Sequence, residues 1–157
     1  MPRSRPSATP VWWPEPGVRI HHAAIVTTDV DAGIRFWRDG LGFEVQMDTS
    51  FEGDWPALFD APSDRLRSVF LGDPAHPDAG VVELVDFGPG VAAGIGPGTV
   101  PATGFFLLSV YCAVDEVLAR LADLGLGGEP RRIETYGVAM VVVTDPNGVR
   151  VELIDLP

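Results

Sequence analysis

The feature that most constrains the fold is a five-residue pattern that occurs twice in this chain of 157 residues. V-E-L-V-D at 82–86 returns as V-E-L-I-D at 151–155. Each copy places one carboxylate inside an apolar, β-branched run, which is typical of a strand. The repeat indicates an internal duplication. The function then depends on whether Glu83 and Glu152 face water or a group that compensates their charge.

The elements around the two copies follow the same order. In each half a strand is followed by a helix and three more strands. The first helix begins at Thr28 or Asp29, and the second has apolar residues at helical spacing and ends at Gly125. The strands are expected at 19–27, 43–47, 67–71 and 81–87, and again at 105–112, 132–135, 138–144 and 149–154. The sequence therefore predicts an α+β fold made of two βαβββ modules.

Composition divides the chain into four segments. Residues 1–17 are proline-rich and form an N-terminal arm, and 88–104 is a linker rich in Gly and Pro. The first module occupies 18–87 and the second 105–157. Trp12 and Trp13 favour docking of the arm on the domain or on a partner subunit, because exposed indoles are costly.

Charge and composition exclude several classes of function. The net charge of −11, with 11 basic residues, argues against a nucleic-acid partner. No apolar run approaches the roughly 20 residues that span a membrane, and no secretory signal is visible. The single cysteine, Cys112, fits a reducing compartment. We expect a cytoplasmic protein with a small-molecule substrate or ligand.

Three stretches give the chain a family resemblance. They are H-A-A-I-V-T-T-D at 22–29, F-W-R-D-G-L-G-F at 36–43, and D-P-N-G at 145–148 followed by V-E-L. Over residues 19–155 the chain resembles the vicinal oxygen chelate superfamily, which includes glyoxalase I, methylmalonyl-CoA epimerase, extradiol dioxygenases and bleomycin-resistance proteins. The resemblance implies that the modules curve into a mixed-sheet cup with a divalent metal at its base. It also implies a homodimer, since a cup built from one chain leaves open strand edges.

The resemblance assigns metal ligands to the first and fourth strands of each module. At these positions the chain has His22, Glu83 and Glu152. One imidazole and two carboxylates suit a divalent ion such as Zn, Ni, Co, Mn or Fe(II). Glu152 is also expected to be the catalytic base that moves a proton α to a metal-bound carbonyl.

The fourth ligand position is expected at Phe106, which cannot bind a metal. His22 precedes Asp29 by seven residues, and seven residues before Ala113 stands Phe106. Its ring is expected to narrow the substrate pocket. Tyr136 is a second candidate for the pocket lining, although core packing explains both aromatic residues equally well.

Simpler interpretations stay open for the polar candidates. His22 could be a packed core histidine, and the two glutamates could face solvent from half-buried strands. Strand alternation predicts that His21 points to the face opposite His22. His76 is expected at the surface, where it could reach the site only if its proline-flanked loop folds over it.

Three functions therefore compete. The first is a metal-dependent lyase or isomerase acting on a small carbonyl or carboxylate substrate. The second is a metal-free protein of the bleomycin-resistance type that binds a drug or another ligand. The third is a single-domain Fe(II) dioxygenase, which normally has two histidines and one carboxylate, the reverse of the count here.

Overall fold

The computed structural model describes residues 20–77, 80–94, 101 and 103–155. The N-terminal arm with its two tryptophans lies outside them. The first module contains strands β1 (His22–Val26), β2 (Glu44–Glu52), β3 (Arg65–Gly72) and β4 (Val81–Asp86). Its helices are α1 (Val30–Ile34), continued by a π-helical segment (Arg35–Gly40), and α2 (Trp55–Phe59). The second module contains β5 (Leu108–Cys112), α3 (Val114–Leu124), β6 (Gly127–Thr135), β7 (Val138–Thr144) and β8 (Arg150–Asp155).

The two modules form four-stranded sheets with matching order. The orders are β1-β4-β3-β2 and β5-β8-β7-β6. In each sheet the first and last strands of the module are parallel and the other pairs are antiparallel. The duplicated pattern forms β4 and β8, which lie one strand in from the edge. The predicted α+β fold of two βαβββ modules is confirmed.

The structure differs from the sequence prediction where strands are exposed. β2 and β6 each have nine residues and extend well beyond 43–47 and 132–135. Almost every residue of both strands is exposed, so no alternation of apolar residues marks them. Helix α2 was not predicted; the Asp54 side chain caps it, and Asp60 ends it with a φ of 53°.

The described helices pack on one face of the sheets, and the hydrophobic core lies between these helices and the sheets. Within β4, Val82 and Leu84 face this core while Glu83 faces the opposite side, as alternation requires. The modules share the core because α3 packs against the π-helical segment. At that contact Leu121 lies against Gly40, whose carbonyl accepts a hydrogen bond from Arg120 Nε at 2.9 Å.

The turn before β8 is held by a buried carboxylate. Asp145 Oδ1 accepts hydrogen bonds from the backbone N–H groups of Asn147 and Val149, each at 2.8 Å. Gly148 adopts a φ of 84°, a left-handed conformation that glycine accepts without strain. The turn fixes the direction in which β8 presents Glu152. No helix in the described part of the chain is long and apolar enough to cross a membrane.

Candidate active site

The side chains of His22 and Glu83 contact each other across neighbouring strands. Their side chains meet with His22 Nε2 3.0 Å from Glu83 Oε2. The Ser68 hydroxyl on β3 donates a hydrogen bond to the other carboxylate oxygen, Oε1, at 2.5 Å. Ser68 is 2% exposed and the Glu83 side chain 14% exposed. Glu83 is thus a half-buried carboxylate with both oxygens engaged, rather than a solvent-facing residue.

Glu152 occupies the equivalent position of the second module with fewer partners. In the registers, Ala24 lies opposite Glu83 and Ser109 lies opposite Glu152. The Ser109 hydroxyl donates a hydrogen bond to Glu152 Oε2. Among the described residues, no hydrogen bond reaches Oε1 of Glu152. Within the described part of the chain, this glutamate therefore has one oxygen without a hydrogen-bond partner, whereas both oxygens of Glu83 are engaged.

The three predicted metal ligands are brought together only in part. The N···O separation in the His22–Glu83 pair is compatible with one ion bound at about 2.0–2.2 Å from both atoms. Glu152 does not join them. No group of three or more His, Cys, Asp or Glu side chains that could hold a metal occurs within the described residues. A single chain therefore brings two of the three predicted ligands together, and the metal site stays a prediction.

The strand registers also locate the position equivalent to His22 in the second module. His22 stands two residues before Ala24, which makes Leu107 the equivalent residue two before Ser109. The sequence-based count led to Phe106, one position earlier.

The cause is a shorter connection between strand and helix. The N-cap Asp29 follows Ala24 by five positions, whereas the N-cap Ala113 follows Ser109 by four. Because Leu107 is apolar too, this position still offers no metal ligand.

A cavity of about 570 Å³ lies between the edge strands β1 and β5. Its lining includes the completely buried Trp37 and apolar side chains of β4 and β5. All three histidines of the chain line it. The polar side chains in the lining that bear on function are His21, His22, Asp73, His76 and Ser109.

The prediction that His21 points away from His22 is wrong. The two Nδ1 atoms are 2.7 Å apart, and both residues line the cavity. Strand β1 begins at His22, so the alternation of a strand does not govern the residue before it.

His76 is exposed, as expected, yet its loop brings it to the cavity. The ring Nδ1 is 2.8 Å from Asp73 Oδ2, and Asp73 Oδ1 accepts a hydrogen bond from the backbone N–H of Ala75 at 2.8 Å. Both hydrogen bonds lower the pKa of Asp73 below its ordinary value, and the one with His76 has the larger effect. Asp73 thereby fixes the orientation of the imidazole.

The two predicted pocket aromatics lie elsewhere. Phe106 is 48% exposed, and the Arg150 guanidinium carbon lies 5.2 Å from its ring centroid. Tyr136 is fully exposed in the two-residue turn between β6 and β7, with a φ of 52°. Neither residue lines the cavity, and their contact with substrate stays a prediction.

Burial raises the pKa of the Cys112 thiol, which agrees with an inert cysteine.

Sequence reasoning missed the serines and Asp73. Ser109 could have been found by pairing β5 with β8 around the duplicated glutamates. Ser68 had no such signal, because its hydrogen bond to Glu83 depends on the register of β3. Asp73 stands three residues before His76, a spacing at which an aspartate in a turn can bond back to the loop.

Comparisons with known proteins identify the family of this chain. A family model described as the glyoxalase/bleomycin resistance protein/dioxygenase superfamily matches residues 19–153. The lactoylglutathione lyase-like protein terB of Aspergillus terreus is 31% identical over 153 residues, which cover 90% of this chain and 77% of the relative.

Solved structures share the fold at lower identity. A glyoxalase family protein from Bacillus cereus superimposes with a TM-score of 0.71 at 17% identity, covering 90% of this chain and 95% of its own. The trypanothione-dependent glyoxalase I of Leishmania major gives a TM-score of 0.61 at 21% identity, covering 88% and 87%. With the family model matching most of its length, the chain belongs to the glyoxalase/bleomycin resistance protein/dioxygenase superfamily.

Proposed function

We propose that the protein is a metal-dependent lyase or isomerase that acts on a small carbonyl or carboxylate substrate through a stabilised enolate. The observation that carries this proposal is the His22–Glu83 pair, 3.0 Å apart on adjacent strands at two positions where the family binds metal. Desolvating a carboxylate is costly, so a half-buried glutamate beside an imidazole favours a role beyond solubility. The lactoylglutathione lyase-like relative supports the same reaction class.

The proposed cofactor is a divalent ion, one of Zn, Ni, Co, Mn or Fe(II). The imidazole of His22 and the carboxylate of Glu83 are donors that suit such an ion. A bound divalent ion supplies Lewis-acid polarisation of a carbonyl oxygen. The Ser68 hydroxyl then orients the carboxylate, as hydrogen-bonded outer groups commonly do around metal ligands.

Glu152 is the residue proposed to move the proton. A general base needs a carboxylate oxygen that can accept the proton, and Glu152 has one oxygen bonded by Ser109 and one free. Glu83 is poorly suited to this task, because both of its oxygens are engaged. The ligand and base roles therefore fall on different modules.

A homodimer is proposed to bring the two halves of the site together. Within one chain Glu152 does not join His22 and Glu83, and members of this superfamily often dimerise. The free edges of β1 and β5 and the exposed strands β2 and β6 leave surface for a second copy. Under this proposal each site takes its metal pair from one protomer and its base from the partner.

Metal analysis of protein purified without chelator or metal-affinity resin tests the cofactor. About one divalent ion per site is expected, with clear loss of metal in both His22→Ala and Glu83→Gln. Wild-type protein that stays metal-free after incubation with these ions would contradict the proposal.

Proton exchange tests the base. Carbonyl compounds incubated with the metal-loaded enzyme in D₂O should gain deuterium at the α-carbon, detected by NMR. Glu152→Gln should slow this exchange by roughly 10²–10⁴-fold with the fold intact. Equal rates in wild type and variant would assign the base to another residue.

Subunit mixing tests the shared site. Inactive His22→Ala and Glu152→Gln proteins, mixed and allowed to exchange subunits, should regain about a quarter of wild-type activity, because half of the dimers are hybrids with one intact site each. A site within one chain would regain none.

The second candidate is a metal-free ligand-binding protein of the bleomycin-resistance type. Two observations favour it: the largely apolar cavity of about 570 Å³, and the absence of a three-residue metal group within the described residues. A protein that binds an aromatic ligand with unchanged affinity in His22→Ala, and binds no metal, would establish this function instead.

A further inference from the structure

The lining of the cavity between β1 and β5 has an unusual charge distribution. The chain has no lysine, and no arginine is among the described residues that line the cavity. The arginines Arg38, Arg67 and Arg132 are engaged with surface carboxylates outside it. Among the described residues of the lining, the only acidic side chain is that of Asp73. In the metal-free protein, a ligand that carries carboxylates would therefore meet this negative group with no arginine among the described lining residues to balance it.

The tautomer of His76 follows from its partner. The lowered pKa of Asp73 keeps it ionised near neutral pH, so it can only accept a hydrogen bond. His76 Nδ1 must then carry the proton shared with Asp73 Oδ2 at 2.8 Å. In the neutral imidazole this leaves Nε2 with a lone pair, because one ring nitrogen donates and the other accepts. The neutral His76, a lining residue of the cavity, thus has a hydrogen-bond acceptor at Nε2.

We propose that this cavity binds an uncharged, largely apolar carbonyl compound that carries a hydroxyl group, and that His76, oriented by Asp73, accepts the hydrogen bond of that hydroxyl. This inference narrows the substrate class of the proposed enzyme. It rests on the proposed function only for the assumption that the ligand has a carbonyl group. His76 is then a specificity-determining residue outside the proposed metal ligands.

Three probes of similar shape test this assignment. 4-Hydroxyacetophenone has a hydroxyl donor, 4-methoxyacetophenone lacks it, and 4-acetylbenzoate replaces it with a negative charge. Titrations use the whole protein without metal, followed by tryptophan fluorescence, since Trp37 forms part of the lining. The hydroxyl probe should bind about fivefold to tenfold more tightly than its methyl ether, the range expected for one neutral hydrogen bond. The carboxylate should bind most weakly.

Variants of the dyad assign the preference to His76. In His76→Phe the hydroxyl and methoxy probes should bind equally, because the acceptor is gone. Asp73→Asn can donate an N–H to Nδ1, which leaves Nε2 protonated and should abolish or reverse the preference. Asp123→Asn, an exposed carboxylate on α3, is the matched control and should behave as wild type.

The histidine ring signals in NMR give an independent readout, because the chain has only three histidines. The hydroxyl probe should shift the His76 signal in wild type. The proposal is overturned if 4-acetylbenzoate binds as tightly as the hydroxyl probe, if the hydroxyl preference survives in His76→Phe, or if no probe binds. The titrations contain no metal, so none of these results bears on the proposed metal chemistry. That chemistry is tested separately by metal analysis and deuterium exchange.

Discussion

The contact between the two modules makes a sharp prediction about Gly40. It ends the π-helical segment and lies against Leu121 of α3, which is 2% exposed. A Cβ built on Gly40 would stand 2.5 Å from Leu121 Cδ2 and 3.4 Å from Cγ. Carbon atoms attract best at about 3.5–4.0 Å. Gly40→Ala therefore forces Leu121 or the segment to move by about 1 Å.

The magnitude comes from two opposing effects. Overpacking a well-packed core costs about 1–3 kcal/mol. Replacing glycine by alanine within a helix stabilises it by about 0.5–1 kcal/mol, and Gly40 is not among the glycines with positive φ. The expected net loss is about 1–2 kcal/mol of unfolding free energy, or a fall of about 2–8 °C in Tm for a chain of this size.

A double-mutant cycle separates the clash from other causes. Leu121→Ala alone should cost about 2–5 kcal/mol through the cavity it leaves. In that background Gly40→Ala has room for its methyl group and should be neutral or stabilise by up to about 1 kcal/mol. Unfolding in urea with unchanged m-values is the measurement.

Gly42 provides the control for this cycle. It has a φ of 88° and nothing within 4 Å of its Cβ position, so Gly42→Ala strains the backbone without touching Leu121. Its cost should be the same in both backgrounds. The reasoning is refuted if Gly40→Ala costs as much in Leu121→Ala as in wild type, because the clash with Leu121 would then not be its cause.

Three further predictions address the site and its support. Leu107→His should tighten binding of a divalent ion, measured by competition with a chelating dye, whereas Phe106→His, one position away, should leave it unchanged. Ser68→Ala leaves one oxygen of the half-buried Glu83 without a partner and should lower the unfolding free energy by about 1–3 kcal/mol in urea. Burial raises the pKa of Asp145 above its ordinary 3.8, so above that pH the folded protein retains a proton that the unfolded chain has released. Wild type should therefore lose stability relative to Asp145→Asn as the pH rises from 3.8 toward neutrality, and equal pH profiles in urea would contradict this.

The duplicated pattern was sufficient to predict the architecture from sequence. V-E-L-[VI]-D marks a strand with apolar residues on one face and a carboxylate on the other, and helix α3 shows its buried face through Val117 and Leu121. Such periodic patterns are visible in the sequence because buried positions require apolar residues. The exposed strands β2 and β6 have no buried face, so their length followed only from pairing with β3 and β7.

The candidate site residues on strands could be predicted from the sequence, whereas those in loops could not. His22 and Glu83 follow from strand position and lie 3.0 Å apart, and their shared metal site stays a prediction. The placement of His21 depended on where β1 begins, which differed by three residues from the predicted start at 19. His76 reaches the cavity through the turn that Asp73 stabilises, and no periodicity encodes such a turn.

The two modules repeat the carboxylate but not its surroundings. In the first module Ser68 bonds Glu83 from β3, and the register makes Met140 its equivalent in the second. In the second module Ser109 bonds Glu152 from β5, where the first module has an alanine.

These differences all leave the carboxylate of Glu83 more constrained than that of Glu152. The first module adds an imidazole and a buried hydroxyl, so that its carboxylate has both oxygens engaged and a fixed orientation. The second replaces the imidazole position with Leu107 and leaves one oxygen of Glu152 free. A fixed carboxylate suits a ligand and a free oxygen suits a base, so divergence after duplication favours a division of labour between the modules. Exchanging the partners by Ser109→Ala together with Met140→Ser should therefore leave the fold intact while slowing α-proton exchange more than it weakens metal binding.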